Sequence, residues 1–296
     1  MLIKIPTIIF ILINIFYQQC SKHQDITPNK MSMINEAQIK LSAAVLNFSK
    51  YEGKVTKVKS FYISNLEVTQ KDWKSVMGEY DFDELEGCGE NCPAVFISWL
   101  DAIKFANKLS LIKNLNQCYR IEEDKVSWLN KDCEGYRLPT ISEWMIAADV
   151  FPLKDWQNYA VLNENNWAYY EIESRCRQHN RFLDTTFIYK CSIQKIGQLS
   201  PNKNGLYDIY GNVNEWVWGT YAGNKNGEVY IVDDISEMYY KKDIIIAKGC
   251  DFTFDSFSCS QEGIFITRED FKEGPTYSGI RLVISKKGFE KITKTN

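Results

Sequence analysis

The stretch Gly205-Leu206-Tyr207-Asp208-Ile209-Tyr210-Gly211-Asn212-Val213-Asn214-Glu215-Trp216 constrains this chain more than any other segment. Glycine at 205 and 211, with Asn212 and Asn214 close behind, demands a tight turn rather than a helix or a long strand. The carbonyls of such a turn cannot all be paired within it. Asp208 and Glu215 flank it, and carboxylates together with turn carbonyls are the oxygen donors that a hard cation such as calcium takes. The same residues also admit a metal-free reading, with Asp208 closing an Asx turn and Glu215 in an ion pair.

A chain of 296 residues, 45% hydrophobic and 14% aromatic, has ample material for a packed core. Its net charge is -3, and lysines and acids are interspersed along it. No basic stripe of the kind a phosphate backbone requires is present, so nucleic acid is not an expected partner. The chain has no G-x-S-x-G elbow, no P-loop and no G-x-G-x-x-G, which leaves hydrolase, phosphoryl-transfer and dinucleotide chemistry without a foothold. His23 and His179 are the only histidines, too few for a histidine-rich iron site.

The N-terminus has one early lysine, Lys4, then an apolar run from Ile5 to Tyr17 that is right for a signal peptide and short for a membrane span. Cys20, directly after it, resembles the lipidation cysteine of bacterial lipoproteins, although Gln18 and Gln19 stand where small residues are usual. A cleaved soluble form and an uncleaved anchor are the alternatives. Eight further cysteines (Cys88, Cys92, Cys118, Cys133, Cys176, Cys191, Cys250 and Cys259) form an even set that fits an oxidising compartment. Proximity in sequence pairs Cys88 with Cys92, Cys118 with Cys133, and Cys176 with Cys191. The chain is therefore expected to be exported, as a periplasmic or outer-membrane lipoprotein of a bacterium that meets the membrane through its N-terminal lipid or signal segment.

Four segments follow from composition and period: a signal over 1–20, a tether over 21–53 with a short helical pattern from Asn35 to Leu46, a domain over 54–286, and a tail over 287–296. Apolar residues roughly alternate from Val55 to Val68, as in strands with one wet face. Thr69 caps a predicted helix over 70–77 that Gly78 ends, Ser98 caps one running to about Leu109, and Thr140 caps one over 141–148. Residues 118–128 read as a hairpin, 151–196 as irregular, and 244–248 and 279–285 as strands. Few short helices, many short strands and much loop describe an α+β domain.

Five ordered motifs identify a family. Glu67-Val68-Thr69-Gln70 with Trp73 opens the series, and Pro93, Val95, Ser98, Trp99, Asp101 and Ala102 follow. Next come Tyr136-Arg137-Leu138-Pro139-Thr140-Ile141-Ser142-Glu143-Trp144 and the 205–216 stretch, the latter led in by Ile196-Gly197 and Pro201-Asn202. Gly279-Ile280-Arg281-Leu282-Val283 closes the series. The chain resembles the formylglycine-generating enzyme, or sulfatase-modifying factor, domain family. That resemblance implies a decorated relative of the C-type lectin scaffold, loop-rich and α+β. It also implies a calcium site with the Asp208 and Glu215 side chains and the Gly211 and Val213 carbonyls as ligands. Arg137 and Glu143, on either side of a proline turn and helix start, are expected to bind one another or cap backbone groups while Trp144 is buried.

Catalytic members of the family oxidise a cysteine of a sulfatase peptide to formylglycine with copper(I) held by two thiolates, the soft ligands copper wants. Here the matching segment runs from Lys248-Gly249-Cys250 to Cys259. Cys259 aligns with the second copper cysteine, but Phe254 stands at the first, and a phenyl ring cannot ligate copper. Cys250 is an extra thiol whose simplest role is a disulfide with Cys259 or with a loop. Calcium is thus the cofactor the resemblance implies, and copper is not expected. The leading expectation is a non-catalytic module that binds a protein, peptide or glycan in the envelope, with Trp216, Trp218, Tyr221, Phe252, Phe254 and Phe257 as aromatic contacts. Two others stay open: a copper- and oxygen-dependent oxidoreductase using Cys259 and a displaced Cys250, and a purely structural envelope component.

Overall fold

The computed structural model describes residues 30–40, 55–78, 89–130, 132–149, 193–198, 200–223, 229–233, 235–239, 245–249, 264–267 and 277–294. The first strands are β1 (Met31–Ile34), β2 (Ala37–Lys40), β3 (Val55–Val58) and β4 (Phe61–Ser64). In β4 the expected alternation holds, with Phe61 and Ile63 buried and Tyr62 half-buried. Strand β4 pairs with β1 on one side and on the other with β15 (Val283–Ser285), which in turn pairs with β7 (Tyr136–Arg137), all antiparallel. The two ends of the domain therefore share one sheet.

Three helices start where short-range polar chemistry says they must. Helix α1 (Gln70–Met77) begins in a reciprocal capping box: Thr69 Oγ1 accepts from the Asp72 amide at 3.0 Å and the Thr69 amide donates to Asp72 Oδ2 at 3.2 Å. Gly78, at φ 98°, ends it. Helix α2 (Trp99–Ile112) is capped by Ser98, whose Oγ accepts from the Asp101 amide at 3.1 Å. Helix α3 (Ile141–Ala148) repeats the capping box with Thr140 and Glu143.

The core falls into two hydrophobic clusters. One gathers Trp73, Trp99, Phe105, Trp216 and Trp218 around α1 and α2, and the other gathers Phe61, Ile63, Trp144 and Val283 around α3. Trp218 is the centre of the first, with ring centroids 5.6 Å from Trp99, 5.0 Å from Tyr119 and 5.7 Å from Trp128. The hairpin expected at 118–128 forms as β5 (Tyr119–Ile121) and β6 (Val126–Trp128), with β11 (Glu237–Met238) added along β6. A further sheet has the order β13 (Ile264–Thr267), β12 (Ile245–Lys248), β8 (Asn214–Trp216), β14 (Ser278–Gly279). Strands β9 (Thr220–Gly223) and β10 (Val229–Val232) form a separate hairpin.

Two sequence expectations at the chain ends are corrected. Ala37–Lys40, inside the expected helical pattern, is a strand paired antiparallel with β3, and Met31–Ile34 pairs with β4. The folded part thus reaches back into the segment read as a tether, because tertiary pairing overrides a weak helical period. The tail is a fourth helix, α4 (Lys286–Lys294). Its Ile292 is buried and its Phe289 ring stacks on Tyr62 with centroids 3.7 Å apart. Gly288 lets this helix lie against the backbone at Glu134, since a Cβ there would come within 2.0 Å of the Glu134 carbonyl oxygen.

The expected Cys118–Cys133 disulfide is present, closing a separation of 15 residues from buried ends. Cys92 is also disulfide-bonded. Cys88, Cys176, Cys191, Cys250 and Cys259 lie outside the described residues, as do the irregular segment at 151–192 and Cys20. Loop-closure entropy assigns about 3 kcal/mol to a cross-link of this span. The Cys118→Ala/Cys133→Ala double variant is expected to lose about that much stability in urea unfolding, with a larger m-value because the unfolded chain, freed of the cross-link, exposes more surface.

Candidate functional site

The 205–216 turn is built by left-handed backbone at Gly205 (φ 79°), Asp208 (φ 51°), Gly211 (φ 89°) and Asn212 (φ 62°). At Gly205 the glycine is required twice over, since a Cβ would also stand 2.9 Å from Ser32 Oγ. Asn202 opens the turn: its Oδ1 accepts from the Asn204 and Leu206 amides, each at 3.0 Å. Its Nδ2 donates to the Ala147 carbonyl at 2.9 Å, which fastens the turn to the end of α3.

Glu215, on β8, is 1% exposed and has both carboxylate oxygens engaged. Oε2 accepts from Trp144 Nε1 at 2.6 Å, and Oε1 accepts from Arg281 Nε at 2.8 Å and lies 2.7 Å from Arg281 Nη2. Arg281 is fully buried and donates further to the carbonyls of Ser64 at 3.0 Å and Tyr207 at 2.8 Å. Asp208 Oδ2 accepts from the Gly197 amide. Asn212 Nδ2 donates to Glu67 Oε2 at 3.0 Å, while its Oδ1 accepts from the Gln194 amide at 3.1 Å.

Glu215 binds the Arg281 guanidinium directly, and the charges of Glu67 and Asp208 also act on it. Burial, reinforced by the Asp208 charge, pushes Glu67 well above the usual carboxylate range, and burial raises Asp208 as well. Glu67 Oε1 and Asp208 Oδ1 are buried acceptors without a donor. Of the side-chain donors the resemblance implies for calcium, Asp208 keeps an oxygen without a hydrogen bond, while the Glu215 oxygens accept from Arg281 and Trp144. Among the described residues no group of three or more His, Cys, Asp or Glu side chains is placed to hold a metal ion.

The second signature assembles as expected. Arg137 and Glu143 form a buried two-point ion pair, Nη1 to Oε2 at 2.6 Å and Nη2 to Oε1 at 2.7 Å. Glu143 Oε2 also accepts from the Thr140 amide at 2.9 Å, so one carboxylate both neutralises the arginine and caps α3. The guanidinium sits 5.0 Å from the Trp128 ring centroid.

Trp216 and Trp218, expected as contacts for a ligand, are core residues at 2% and 0% exposure. Their indole N–H groups donate to the carbonyls of Ile97 at 2.7 Å and Ile235 at 3.1 Å. Phe252, Phe254 and Phe257 lie outside the described residues. Arg281 and Glu67 were visible in the sequence as motif residues, but their place beside the turn was not, since they are distant from it along the chain. Lys248 is a further buried charge, its Nζ 5.6 Å from the Trp144 ring centroid.

Residues 18–286 match the family described as the sulfatase-modifying factor enzyme 1-like domain. The chain belongs to this family. It is 32% identical over 190 residues to "Chaperone protein LppX" of Paenibacillus barcinonensis, a match covering 57% of this chain and 66% of that relative. Among solved structures it is similar to Treponema denticola variable protein 1, with a TM-score of 0.64, 21% identity, and coverage of 86% of this chain and 94% of that one. CarF gives a TM-score of 0.56 at 20% identity, covering 86% and 97%, and PvdO from Pseudomonas aeruginosa gives 0.52 at 17%, covering 86% and 94%. These likenesses establish the α+β, loop-rich fold expected from the motifs.

Burial pulls the Lys248 ammonium down to about 7, against a weaker opposing pull from Asp233. The unfolded chain therefore binds a proton above pH 7 that the folded chain does not, and stability rises with pH until the unfolded lysine also loses its proton. Melting temperature is expected to climb by several degrees between pH 7 and pH 9. Lys248→Met is expected to flatten that climb in a differential scanning series.

Proposed function

We propose that this protein is an exported, N-terminally anchored binding module of the bacterial envelope that acts on another protein without oxidising it. One observation carries the reading: Phe254 stands where the family's copper chemistry places its first thiolate. The family's motif residues are in place among the described residues, from the Thr69 cap to the Arg281 ion pair. What has changed is the metal-binding side chain, so the fold is retained for its surface. The Paenibacillus relative is named a chaperone, and a chaperone-like or assembly role toward an envelope protein is the form of binding proposed for this chain. Cys20 after the apolar run supplies the anchor in this reading. Among the described residues no helix is long and apolar enough to cross a membrane.

The test combines thiol counting with copper(I) titration on the mature protein, followed by incubation of the copper-treated protein with a cysteine-containing sulfatase-type peptide in air. The expected outcome is no copper retained against a competing chelator and an unmodified peptide. One copper per chain with two free thiols at Cys250 and Cys259, and conversion of the peptide, would establish the oxidase instead. Suppression of light scattering from a denatured exported protein, at near-stoichiometric ratios, is the expected positive sign of the chaperone-like role.

Anchoring is tested separately. Cys20→Ser is expected to move the protein from the detergent to the aqueous phase in phase partition, and an unaltered distribution would overturn the lipid anchor.

A further inference from the structure

The sheet that joins the two ends of the domain carries a basic helix on one face. Met33 in β1 and Ile284 in β15 both stand opposite Tyr62 in β4, and Ile284 also stands opposite Tyr136 in β7. Residues directly opposite one another share a face of a sheet, so these side chains form one row across it. Phe289 of α4 stacks on Tyr62 and Ile292 is buried, which places α4 on that face. Met33, on the edge strand of the row, is left 44% exposed.

The outward side of α4 carries Lys286, Lys287, Glu290, Lys291 and Lys294, all exposed. Lys287 and Lys291 both reach the Glu134 carboxylate beneath the helix. Four lysines set against Glu290 and Glu134 leave this face a surplus of two positive charges. Lysines on a helix beside an exposed apolar side chain are the composition of a surface that rests on anionic headgroups.

The path of the chain brings this face toward a bilayer. The inference rests on the N-terminal anchoring proposed above, in which Met31 follows the lipid-bearing Cys20 by eleven residues. That length spans at most about 40 Å, less than the roughly 45 Å across a domain of this size. The β1 edge is therefore held near the membrane. Helix α4 continues directly from β15, which lies two strands, or about 10 Å, from β1.

We propose that the α4 face is a membrane-contact surface: Lys286, Lys287, Lys291 and Lys294 rest on anionic phospholipid headgroups, with Met33 at the rim of the contact, and hold the anchored domain in one orientation.

The experiment is vesicle co-sedimentation of the mature protein carrying Cys20→Ser, so that no lipid anchor contributes. Each lysine near an anionic surface contributes about fivefold in affinity, so the surplus predicts about thirtyfold tighter binding to phosphatidylglycerol-rich vesicles than to phosphatidylcholine vesicles at low salt. High salt is expected to abolish that preference by screening. Lys286→Gln/Lys294→Gln, which spares the Glu134 pairs, is expected to lose the preference with an unchanged melting temperature. Lys71→Gln/Lys108→Gln, which removes the same charge from exposed positions on α1 and α2, is expected to keep it.

Equal binding to the two kinds of vesicle, or a preference that both double variants reduce alike, would overturn the proposal. So would indifference to vesicles combined with retention on immobilised polyglutamate that depends on Lys286 and Lys294, which would assign α4 to an acidic protein. Failure of the anchor reads differently: the wild type then enters the aqueous phase, although the Cys20→Ser protein still prefers anionic vesicles.

Discussion

The ion pair between Glu215 and Arg281 is the contact on which the rest of the architecture depends. Taking two charges fully out of water costs several kcal/mol per ion, and the pair is tolerable because both Glu215 oxygens and the three guanidinium nitrogens have partners of their own. Trp144 from α3 holds one Glu215 oxygen, and the carbonyls of Ser64 and Tyr207 take the outer guanidinium nitrogens. Four distant parts of the chain must therefore arrive together: the end of β4, the helix α3, the signature turn, and the lead into β15. A pair of this kind adds little net stability over apolar packing, but a partly formed version is strongly unfavourable. Its value lies in specifying one arrangement of loops that have little regular structure to specify it for them.

The Arg137–Glu143 pair does the same work one step upstream. Glu143 caps α3 and binds Arg137 with the same carboxylate, so the start of the helix and the end of β7 are fixed relative to each other. Trp144 is the next residue, and its direction toward Glu215 follows from that fixation. The two signature motifs, far apart in sequence, are thus two halves of one buried polar network. Asn202 completes it by tying the turn back to the Ala147 carbonyl at the other end of α3.

What was legible in the sequence was what is decided locally. The caps at Thr69, Ser98 and Thr140 set the helix starts, because each depends on contacts within three residues. The Cys118–Cys133 link was readable from proximity, and the motif order identified the fold. What could not be read was decided at long range. Ala37–Lys40 carries a helical period but is held as a strand by residues 55–58. Lys286–Lys294 looks like a polar tail until Tyr62 is placed beneath Phe289. Trp216 and Trp218 look like ligand contacts because aromatic residues near a cleft motif serve either purpose, and only the packing of Trp99, Tyr119 and Trp128 around them decides for the core. The roles of Arg281 and Glu67 at the turn rest on bonds spanning 66 and 145 residues, which no local pattern encodes.

The separation between residues that specify the fold and residues that carry its chemistry explains how such a chain can change function without changing shape. Gly249, at φ 79°, is the last described residue before the segment that holds Cys250, Phe254 and Cys259. A Cβ at Gly249 would stand 3.4 Å from the Ile209 carbonyl oxygen and 3.5 Å from the Trp144 ring. The segment therefore departs from a point fixed by the signature turn and by α3, the same elements that the Glu215–Arg281 pair holds together. Phe254 follows that point by five residues in sequence. The buried ion pairs, the caps and the turn described above are made by residues outside the 250–259 segment. A scaffold specified in this way keeps its motifs recognisable whatever side chains that segment carries.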